Sequence, residues 1–246
     1  MSKLKDKIAV ITGGSSGIGL AIAKLFTENG AKVVIFGRNK KRLNEALGQF
    51  PNNVLAIQGD IGNLKDLDNL YNKVQLNLGN IDIIVANAGD FIANKIEDVT
   101  ETEFDYLINT NIKGTYFTVQ RALKYLNLNS SIILISSLDA HRAKRNSSVY
   151  AATKAAISQF SKSLSADLHD RSIRINCISP GYVLTPKFDD VDESLINDWK
   201  SQIPLGDFGD AYTDIAPLAI YLASDDSKYM TGEDIIIDGG MTRYFK

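Results

Sequence analysis

Short apolar runs rich in β-branched residues alternate along the chain with longer, more polar stretches. Most of the runs lack a polar residue at every second position, which is typical of parallel strands covered on both faces. The runs are KIAVIT (7–12), KVVIF (32–36), NVLAIQ (53–58), IDIIVANA (81–88), SIILISS (131–137), IRINCIS (173–179) and EDIIID (233–238). The pattern therefore predicts seven parallel strands.

The stretches between these runs are long enough for helices, at about 17–29, 39–49, 63–78, 101–127, 150–170 and 211–223. Strands and helices in alternation predict a doubly wound α/β fold with helices on both faces of the sheet, built as a single Rossmann-type domain over residues 1–246. The segment at about 181–209 breaks the rhythm, is rich in Asp, Gly and Pro, and has a short helix pattern near 191–202. Because ligands bind beyond the carboxyl ends of such strands, we interpret this segment as a substrate lid.

Charge and cysteine content narrow the range of partners. The formal net charge is −2 over 246 residues, so nothing overall favours nucleic acid or an anionic membrane surface. The single cysteine, Cys177, excludes an internal disulfide and a cysteine-rich zinc site, and fits a reducing compartment. The N-terminal apolar run is too short for a signal peptide, and no stretch approaches the roughly 20 apolar residues of a membrane span. We expect a cytoplasmic protein with neither a metal nor a nucleic-acid or membrane partner.

A glycine-rich turn, TGGSSGIG (12–19), lies between the first strand and the first helix. Glycines there let the backbone approach a pyrophosphate, and the helix N-terminus offers free N–H groups. One alternative is a plain tight turn in which Ser15 or Ser16 caps the helix. Another is a nucleophile elbow, since 13–17 fits G-x-S-x-G, but only one strand precedes it and His169, one of two histidines, lies inside a predicted helix. The position favours a dinucleotide site.

Tyr150 and Lys154 stand four residues apart in YAATK, inside a predicted helix. This spacing places both side chains on one helix face. A free phenol has a pKa near 10, and a neighbouring ammonium lowers it. Taken alone, the stretch favours a packed tyrosine and a surface lysine that share a face by chance. A candidate acid–base pair is the alternative.

Seven motifs in order along the chain resemble those of the compact short-chain dehydrogenase/reductase family: TGGSSGIG, NAG (87–89), NTNIKG, ISS, YAATK, SPGYVLTP (179–186) and TGEDIIIDGG (231–240). The resemblance covers nearly the whole chain. It implies hydride transfer between a nicotinamide cofactor and a carbonyl or secondary alcohol, with Asn111, Ser137, Tyr150 and Lys154 as catalytic residues. Tyr150 would exchange the proton, Ser137 would hydrogen-bond the substrate oxygen, and Lys154 would also hold the nicotinamide ribose. Asn111 would bind a water that links Lys154 to solvent.

Other interpretations of these residues remain open from the sequence. Taken alone, Ser137 could bond its own backbone at a strand end, and Asn111 could be a satisfied polar group in a helix kink. A non-catalytic dinucleotide-sensing protein on the same fold is an alternative of another class. An epimerase or dehydratase of the extended branch is a third, although such chains carry a larger C-terminal substrate region.

The end of the second strand bears on the choice between NADP and NAD. An acidic residue there would bind a ribose 2′-hydroxyl, but the chain has Gly37 and then Arg38, which can pair with a 2′-phosphate. We therefore expect NADP(H), with an NAD(H)-dependent alcohol or polyol dehydrogenase left open. Ser16 argues against NADP, because many NADP-preferring relatives have a second basic residue there. The resemblance also places these residues at the cofactor: Gly13, Ser15, Ser16, Gly17, Ile18, Gly19, Asp60, Ile61, Asn87, Ala88, Gly89, Tyr150, Lys154, Pro180, Gly181, Val183 and Thr185.

The substrate is less well defined. The loop SSLDAHRAKRNSSVY carries Asp139, His141, Arg142, Lys144 and Arg145. Some of these could contact a polar or anionic substrate, but a solvated loop at a subunit surface is the favoured interpretation. General resemblance points to 3-oxoacyl-carrier-protein reductase, yet the basic patch for an acidic carrier protein is not evident. Sugars, polyols, steroids and small ketones stay open.

Two further expectations concern the lid and the assembly. The lid has apolar side chains that would either line the substrate site or form a small core of their own, and an acidic run that we expect to be solvated. The apolar residues are Tyr182, Leu184, Phe188 and Trp199, and the acidic ones are Asp189, Asp190, Asp192 and Glu193. Family resemblance implies a homotetramer.

Overall fold

The computed structural model describes residues 2–51, 54–186 and 191–243. Its strands are β1 (Ile8–Thr12), β2 (Lys32–Gly37), β3 (Val54–Gln58), β4 (Ile81–Ala86), β5 (Leu126–Ile135), β6 (Arg174–Pro180), β7 (Val183–Leu184), β8 (Gly209–Asp210) and β9 (Asp234–Ile237). Seven of them form one sheet in the order β3-β2-β1-β4-β5-β6-β9, with every neighbouring pair parallel. The predicted parallel seven-stranded sheet is confirmed.

The helices are α1 (Gly17–Glu28), α2 (Lys40–Leu47), α3 (Leu64–Asn77), α4 (Glu101–Leu107), α5 (Gly114–Ala122), α6 (Ser148–Asp167), α7 (Glu193–Ser201) and α8 (Ala216–Ala223). The continuous helix predicted over 101–127 is wrong in one respect. A π-helical turn, Ile108–Lys113, separates α4 from α5, and a 3-10 turn, Leu123–Tyr125, follows α5. Within the described residues, no helix has both the length and the apolar character to cross a membrane.

Helices cover both faces of the sheet, because the central strands β1, β4 and β6 bury nearly all of their side chains. In β1 the alternating side chains divide between two cores: Ala9 and Ile11 belong to one and Val10 to the other. The first core packs residues of α1, α2 and α8 against the sheet, such as Phe26. The second packs residues of α3, α5 and α6, such as Tyr71. Each large apolar side chain buried in this way adds about 1.5–3 kcal/mol to the free energy of unfolding. The two helical layers therefore stabilise the sheet whose edge carries the site.

The order of the strands fixes where a ligand can enter. β1 lies between β2 and β4, so the connections leave it in opposite directions and open a crevice at the carboxyl ends of β1 and β4. Thr12 ends β1 and Ala86 ends β4 at this crevice. The sequence-predicted cofactor residues lie at or just after the carboxyl ends of β1, β2, β3, β4 and β6, except for Tyr150 and Lys154, which lie in α6.

The segment predicted as a lid has structure of its own. β7 pairs with β8, and α7 occupies the position of the predicted short helix. Tyr182 stacks near Trp199 and Phe208, with ring centroids 5.9 and 6.3 Å away, and packs against the cluster of Leu138, Ile203 and Met241. Leu184 is exposed, so the aromatic residues form a small core without it. Phe188, Asp189 and Asp190 lie outside the described residues, whereas Asp192 and Glu193 are exposed as expected.

Candidate active site

The glycine turn after β1 is a cradle that only glycine fits. Gly13 has φ +66°, and a Cβ there would lie 2.7 Å from the Asn87 side-chain nitrogen. A Cβ on Gly19 would lie 2.4 Å from the Gly13 carbonyl oxygen. Ser16 precedes α1 without making a side-chain cap, so the alternative of a capping serine is not seen at this position. The first turn of α1 therefore offers backbone N–H groups to an anion, as a dinucleotide pyrophosphate requires.

Thr12 and Asn87 tie the ends of β1 and β4 together. The Thr12 hydroxyl oxygen accepts hydrogen bonds from the backbone N–H groups of Asn87 and Ala88, both at 3.1 Å. The Asn87 side chain donates to the Thr12 carbonyl oxygen at 3.0 Å. Thr12 lies in the glycine motif, but we did not predict it as a site residue. Its place as the first residue of that motif was the only sequence signal for this role.

Two further segments close this edge of the sheet. A Cβ on Gly17 would lie 3.2 Å from the Thr185 methyl carbon, so the segment after β6 passes over the start of α1. Gly181 follows β6 and leaves no room for a side chain, because a Cβ there would lie 2.5 Å from the Asp238 Cα.

At the end of β3 the Asp60 carboxylate accepts from Gly62 N–H at 2.8 Å. Ile61 is buried against Gly114.

Ser137, Tyr150 and Lys154 come together beyond the end of β5. Ser137 is buried at the start of a 3-10 turn, Leu138–Ala140, where its hydroxyl oxygen accepts from the Asp139 backbone N–H at 3.2 Å, and it lies close enough to the Tyr150 phenol to lower the pKa of that phenol. Tyr150 and Lys154 lie one turn apart in α6, with the ammonium 5.7 Å from the centroid of the phenol ring. The Lys154 Nζ donates to the Ile135 carbonyl oxygen at 3.0 Å. Sequence spacing correctly predicted this shared face.

Asn111 joins this group from the π-helical turn and is fully buried. Its side-chain oxygen accepts from Asp90 N–H at 2.8 Å. Its side-chain nitrogen donates to the Asp90 carbonyl oxygen at 2.9 Å and to the Thr153 hydroxyl at 3.0 Å. A Cβ on Gly89 would lie 3.2 Å from the Asn111 oxygen and 3.5 Å from the Lys154 Nζ. The side chain therefore connects the segment after β4 to α6, and the water contact expected of Asn111 stays a prediction.

The pKa of Tyr150 moves in the opposite direction from the one expected. Burial raises it to about 12, a hydrogen bond with Ser137 lowers it, and the charges of Asp139 and Asp90 raise it further. We expected Lys154 to lower this pKa. That ammonium instead lies over the ring face and donates to Ile135, so burial decides the direction.

Arg38 forms a cluster that the sequence did not predict. Its guanidinium donates to the Tyr106 hydroxyl at 2.7 Å and pairs with the Asp90 carboxylate at 3.1 Å. The Tyr106 hydroxyl donates to the same carboxylate at 2.8 Å. The Arg38 side chain is 51% exposed and that of Asp90 30%. The predicted reader of the 2′-phosphate therefore already has a carboxylate partner.

Comparison with known proteins agrees with this geometry. A family profile described as enoyl-(acyl carrier protein) reductase matches residues 13–242. An oxidoreductase of Sarocladium schorii is 39% identical over 246 residues, covering 99% of this chain and 98% of its own. The NADP-dependent (R)-specific alcohol dehydrogenase of Lentilactobacillus kefiri is 35% identical and covers 98% of both chains. The chain belongs to the short-chain dehydrogenase/reductase family.

Two more short-chain dehydrogenase/reductases extend the comparison. The 3-oxoacyl-[acyl-carrier-protein] reductase of Chlamydia pneumoniae is 35% identical, covering 97% of this chain and 98% of its own. The structure of a family member from Serratia marcescens is similar at a TM-score of 0.91 with 31% identity, covering 98% of this chain and 99% of that one. The chain is thus an oxidoreductase that acts on CH–OH groups with a nicotinamide dinucleotide. The nucleophile-elbow alternative is wrong.

The short-chain dehydrogenase/reductase site has a second charged cluster beside the phenol. Asp139 is buried, and its carboxylate lies 3.4 Å from the Arg142 Nε and 3.7 Å from the Lys144 Nζ. The Arg142 guanidinium also donates to the Tyr182 hydroxyl at 3.0 Å. We interpreted this loop as solvated. That is wrong for these three side chains, because Arg142 is only 20% exposed, Lys144 26% and Asp139 3%.

Proposed function

We propose that this chain transfers a hydride between NADP(H) and a carbonyl or secondary alcohol, with Tyr150 as the acid and base. The observation that carries the proposal is that the buried Ser137 lies beside Tyr150, one helical turn from the buried Lys154, at the sheet edge that also holds the glycine turn. A carbonyl oxygen placed between these two hydroxyls would receive one hydrogen bond from Ser137 and a proton from Tyr150. The nicotinamide, when bound, supplies or accepts the hydride.

The pKa of Tyr150 bears on the direction of the reaction. Because burial raises it to about 12, the phenol keeps its proton at neutral pH. A protonated phenol is the form that reduction of a carbonyl needs. Oxidation of an alcohol needs the phenolate, whose population rises with pH. The site therefore favours carbonyl reduction at neutral pH and alcohol oxidation at alkaline pH.

Lys154 and Asn111 would support proton transfer by keeping the cofactor ribose at a fixed distance from Tyr150. The Lys154 Nζ is buried beside Gly89 and the phenol ring, where it can reach the ribose hydroxyls of a cofactor lying along the segment after β4. Asn111 fixes that segment to α6 through Asp90 and Thr153. A fixed distance between the ribose site and Tyr150 keeps the reacting atoms in line.

The residues at the sheet edge fit a dinucleotide. The space that Gly13 and Gly19 leave free, and the uncapped start of α1, suit a pyrophosphate. Arg38 follows β2, where a 2′-phosphate of NADP would lie beside the adenosine ribose. A phosphate monoester carries about −1.5 to −2 charges, so it would compete for the guanidinium against the single charge of Asp90. We therefore infer a preference for NADP.

An NAD-dependent alcohol or polyol dehydrogenase is the second candidate, and one observation favours it. In this structure the Asp90 carboxylate balances the positive charge of Arg38. The same carboxylate would repel a 2′-phosphate. A cofactor with a 2′-hydroxyl would not need to displace it. Similarity to the NADP-dependent Lentilactobacillus kefiri enzyme is the reason for placing NADP first.

We further propose that residues 1–246 act as one domain and that the segment at 181–209 covers bound substrate. Tyr182 supports the lid role, because it packs with Trp199 and Phe208 while its hydroxyl accepts from Arg142 next to the site. A homotetramer, expected from the family, would be tested by the mass of the purified protein in solution, and a cytoplasmic location by fractionation of the native host.

The proposal is tested by titrating the purified protein with NADPH and with NADH, followed by a screen of neutral ketones. We expect tighter binding of NADPH and loss of nicotinamide absorbance when a ketone is added. Tighter binding of NADH with the same turnover would support the second candidate. Binding of neither cofactor, or binding without turnover of any ketone or secondary alcohol, would contradict the function.

A further inference from the structure

The second charged cluster, formed by Asp139, Arg142 and Lys144, has two cations for one carboxylate. The Arg142 Nε lies 3.4 Å from one carboxylate oxygen and the Lys144 Nζ 3.7 Å from the other. The three side chains therefore hold one more positive charge than negative. Both cations are mostly buried, at 20% and 26% exposure, so water screens this excess less than it would on an open surface.

Aromatic rings keep the cations of this cluster in place. The Lys144 Nζ lies 5.2 Å from the centroid of Phe91 and 5.0 Å from that of Tyr182. The Arg142 guanidinium lies 5.2 Å from the same Tyr182 centroid. Cation–π contacts of this length orient an ammonium without neutralising it. The excess charge is held in a defined position and stays available to an anion.

The cluster adjoins the reacting phenol. Phe91 packs edge to face on Tyr150 with ring centroids 4.8 Å apart, and Lys144 lies on the same Phe91 ring. The charge of Asp139 reaches the phenol, since it raises the pKa of Tyr150. A substrate held by Ser137 and Tyr150 would thus have Lys144 within reach of a substituent a few atoms from its carbonyl carbon.

A groove leads away from the cluster and carries the same sign of charge. It has a volume of about 420 Å³ and is bordered by Lys95, Lys144, Arg145 and one acidic residue, Glu97. Ser148, two residues before Tyr150, lies on the same border. Lys95 and Arg145 are exposed, so they attract an anion at long range but add little to its binding.

From these contacts we propose that the substrate is an oxo acid, whose carboxylate pairs with Lys144 and Arg142 and whose carbonyl lies at Tyr150. The inference rests on the proposed function. In the reaction, hydride adds to the carbonyl carbon, the Tyr150 proton adds to the carbonyl oxygen, and the nicotinamide leaves oxidised, which gives the hydroxy acid. A carboxylate fits better than a phosphate because the mostly buried cluster has a single spare charge.

The test compares 3-oxobutanoate, 4-oxopentanoate and 5-oxohexanoate with their methyl esters at neutral pH. For at least one chain length we expect kcat/KM of the acid to exceed that of its ester about tenfold, as one charge-assisted contact allows. The Lys144→Gln variant should bring this ratio close to one, because it lowers kcat/KM of the acid far more than that of the ester. The Lys162→Gln variant removes an exposed charge elsewhere on α6 and should leave the ratio as it is. Raising the salt concentration should lower the acid rate and not the ester rate.

Three results would overturn the inference. The first is turnover of the esters as fast as the acids at every chain length. The second is an equal loss of both rates in Lys144→Gln, which would assign the lysine to packing alone. The third is a preference for acetonyl phosphate over all three acids, which would make the anion a phosphate. In all three cases the protein still reduces a ketone. Failure of the proposed function would instead leave acids, esters and neutral ketones all unreduced.

Discussion

Two clusters of the same three residue types, an arginine, an aspartate and a tyrosine, lie beside the proposed catalytic residues. One consists of Arg38, Asp90 and Tyr106, and the other contains Arg142, Asp139 and Tyr182. The first aspartate, Asp90, is 30% exposed and pairs with Arg38. The second, Asp139, is 3% exposed and pairs with Lys144 as well as with Arg142.

This difference decides what each cluster can do. A solvent-accessible ion pair contributes only about 0–1 kcal/mol to the free energy of unfolding, so under the proposed function a cofactor phosphate would replace the Asp90 carboxylate at little cost. A buried carboxylate cannot leave its partners cheaply, because unpaired buried charges are costly. The first cluster is therefore built to exchange partners, whereas the second is fixed and holds a spare charge.

Loss of the phenol between the clusters should have the largest effect. We expect Tyr150→Phe to lower ketone reduction about 10²–10⁴-fold, since it removes the proton donor. The ring contact with Phe91 is kept, so NADPH binding should not change. The rate of ketone reduction checks the first expectation, and a titration with NADPH checks the second. Full turnover in this variant would show that another group supplies the proton.

The exchangeable cluster is broken by Arg38→Ala. We expect NADPH to bind about 10–100-fold more weakly, because a charge-assisted contact to the phosphate is lost, and NADH to bind as before. Fluorescence titration with both cofactors gives the ratio. Lys32→Ala, which removes an exposed charge at the other end of β2, is the control. Equal weakening for both cofactors would rule out recognition of the 2′-phosphate by Arg38.

The fixed cluster is broken by Asp139→Asn. Arg142 and Lys144 keep some contact with water, so we expect a loss of about 1–3 kcal/mol in the free energy of unfolding, less than for a fully buried pair. The variant also removes a negative charge that raises the pKa of Tyr150. Reduction needs the protonated phenol, so its rate should begin to fall at lower pH than in the parent. Denaturant unfolding and the pH profile of kcat/KM measure the two effects, and an unmoved profile would contradict the second.

Removing the competing carboxylate should have the smallest effect. We expect Asp90→Asn to tighten NADPH binding about threefold, within the range of an exposed ion pair, and to leave NADH unchanged. Asp98→Asn, an exposed carboxylate in the segment between β4 and α4, serves as the control. Weaker NADPH binding would mean that Asp90 holds Arg38 in position for the phosphate instead of competing with it.

The features that local sequence dictates were predicted well. Apolar runs gave the strands within a few residues at most ends, and the spacing of Tyr150 and Lys154 gave their shared face. The π-helical turn was not predicted, because it is stabilised by Asn111 bonds to Asp90 and Thr153, which are far away in sequence. Pairings across such distances leave no periodic pattern.

The electrostatics of the site escaped prediction for the same reason. The pKa of Tyr150 depends on how deeply the folded chain buries it, and spacing to Lys154 says nothing about depth. The loop after Ser137 has a charged composition that is typical of solvent exposure. Folding nevertheless buries Asp139 beneath two cations, one of which bonds Tyr182 from a different segment.

The backbone and the side chain of Asp90 make separate sets of contacts. The backbone N–H and carbonyl hold both ends of the Asn111 amide, at 2.8 and 2.9 Å, whereas the carboxylate alone faces Arg38. Any residue can supply the first pair of bonds, and only an acid supplies the second. Under the proposed function, substitution of Asp90 alone would therefore shift cofactor preference while the backbone contacts with Asn111 are kept.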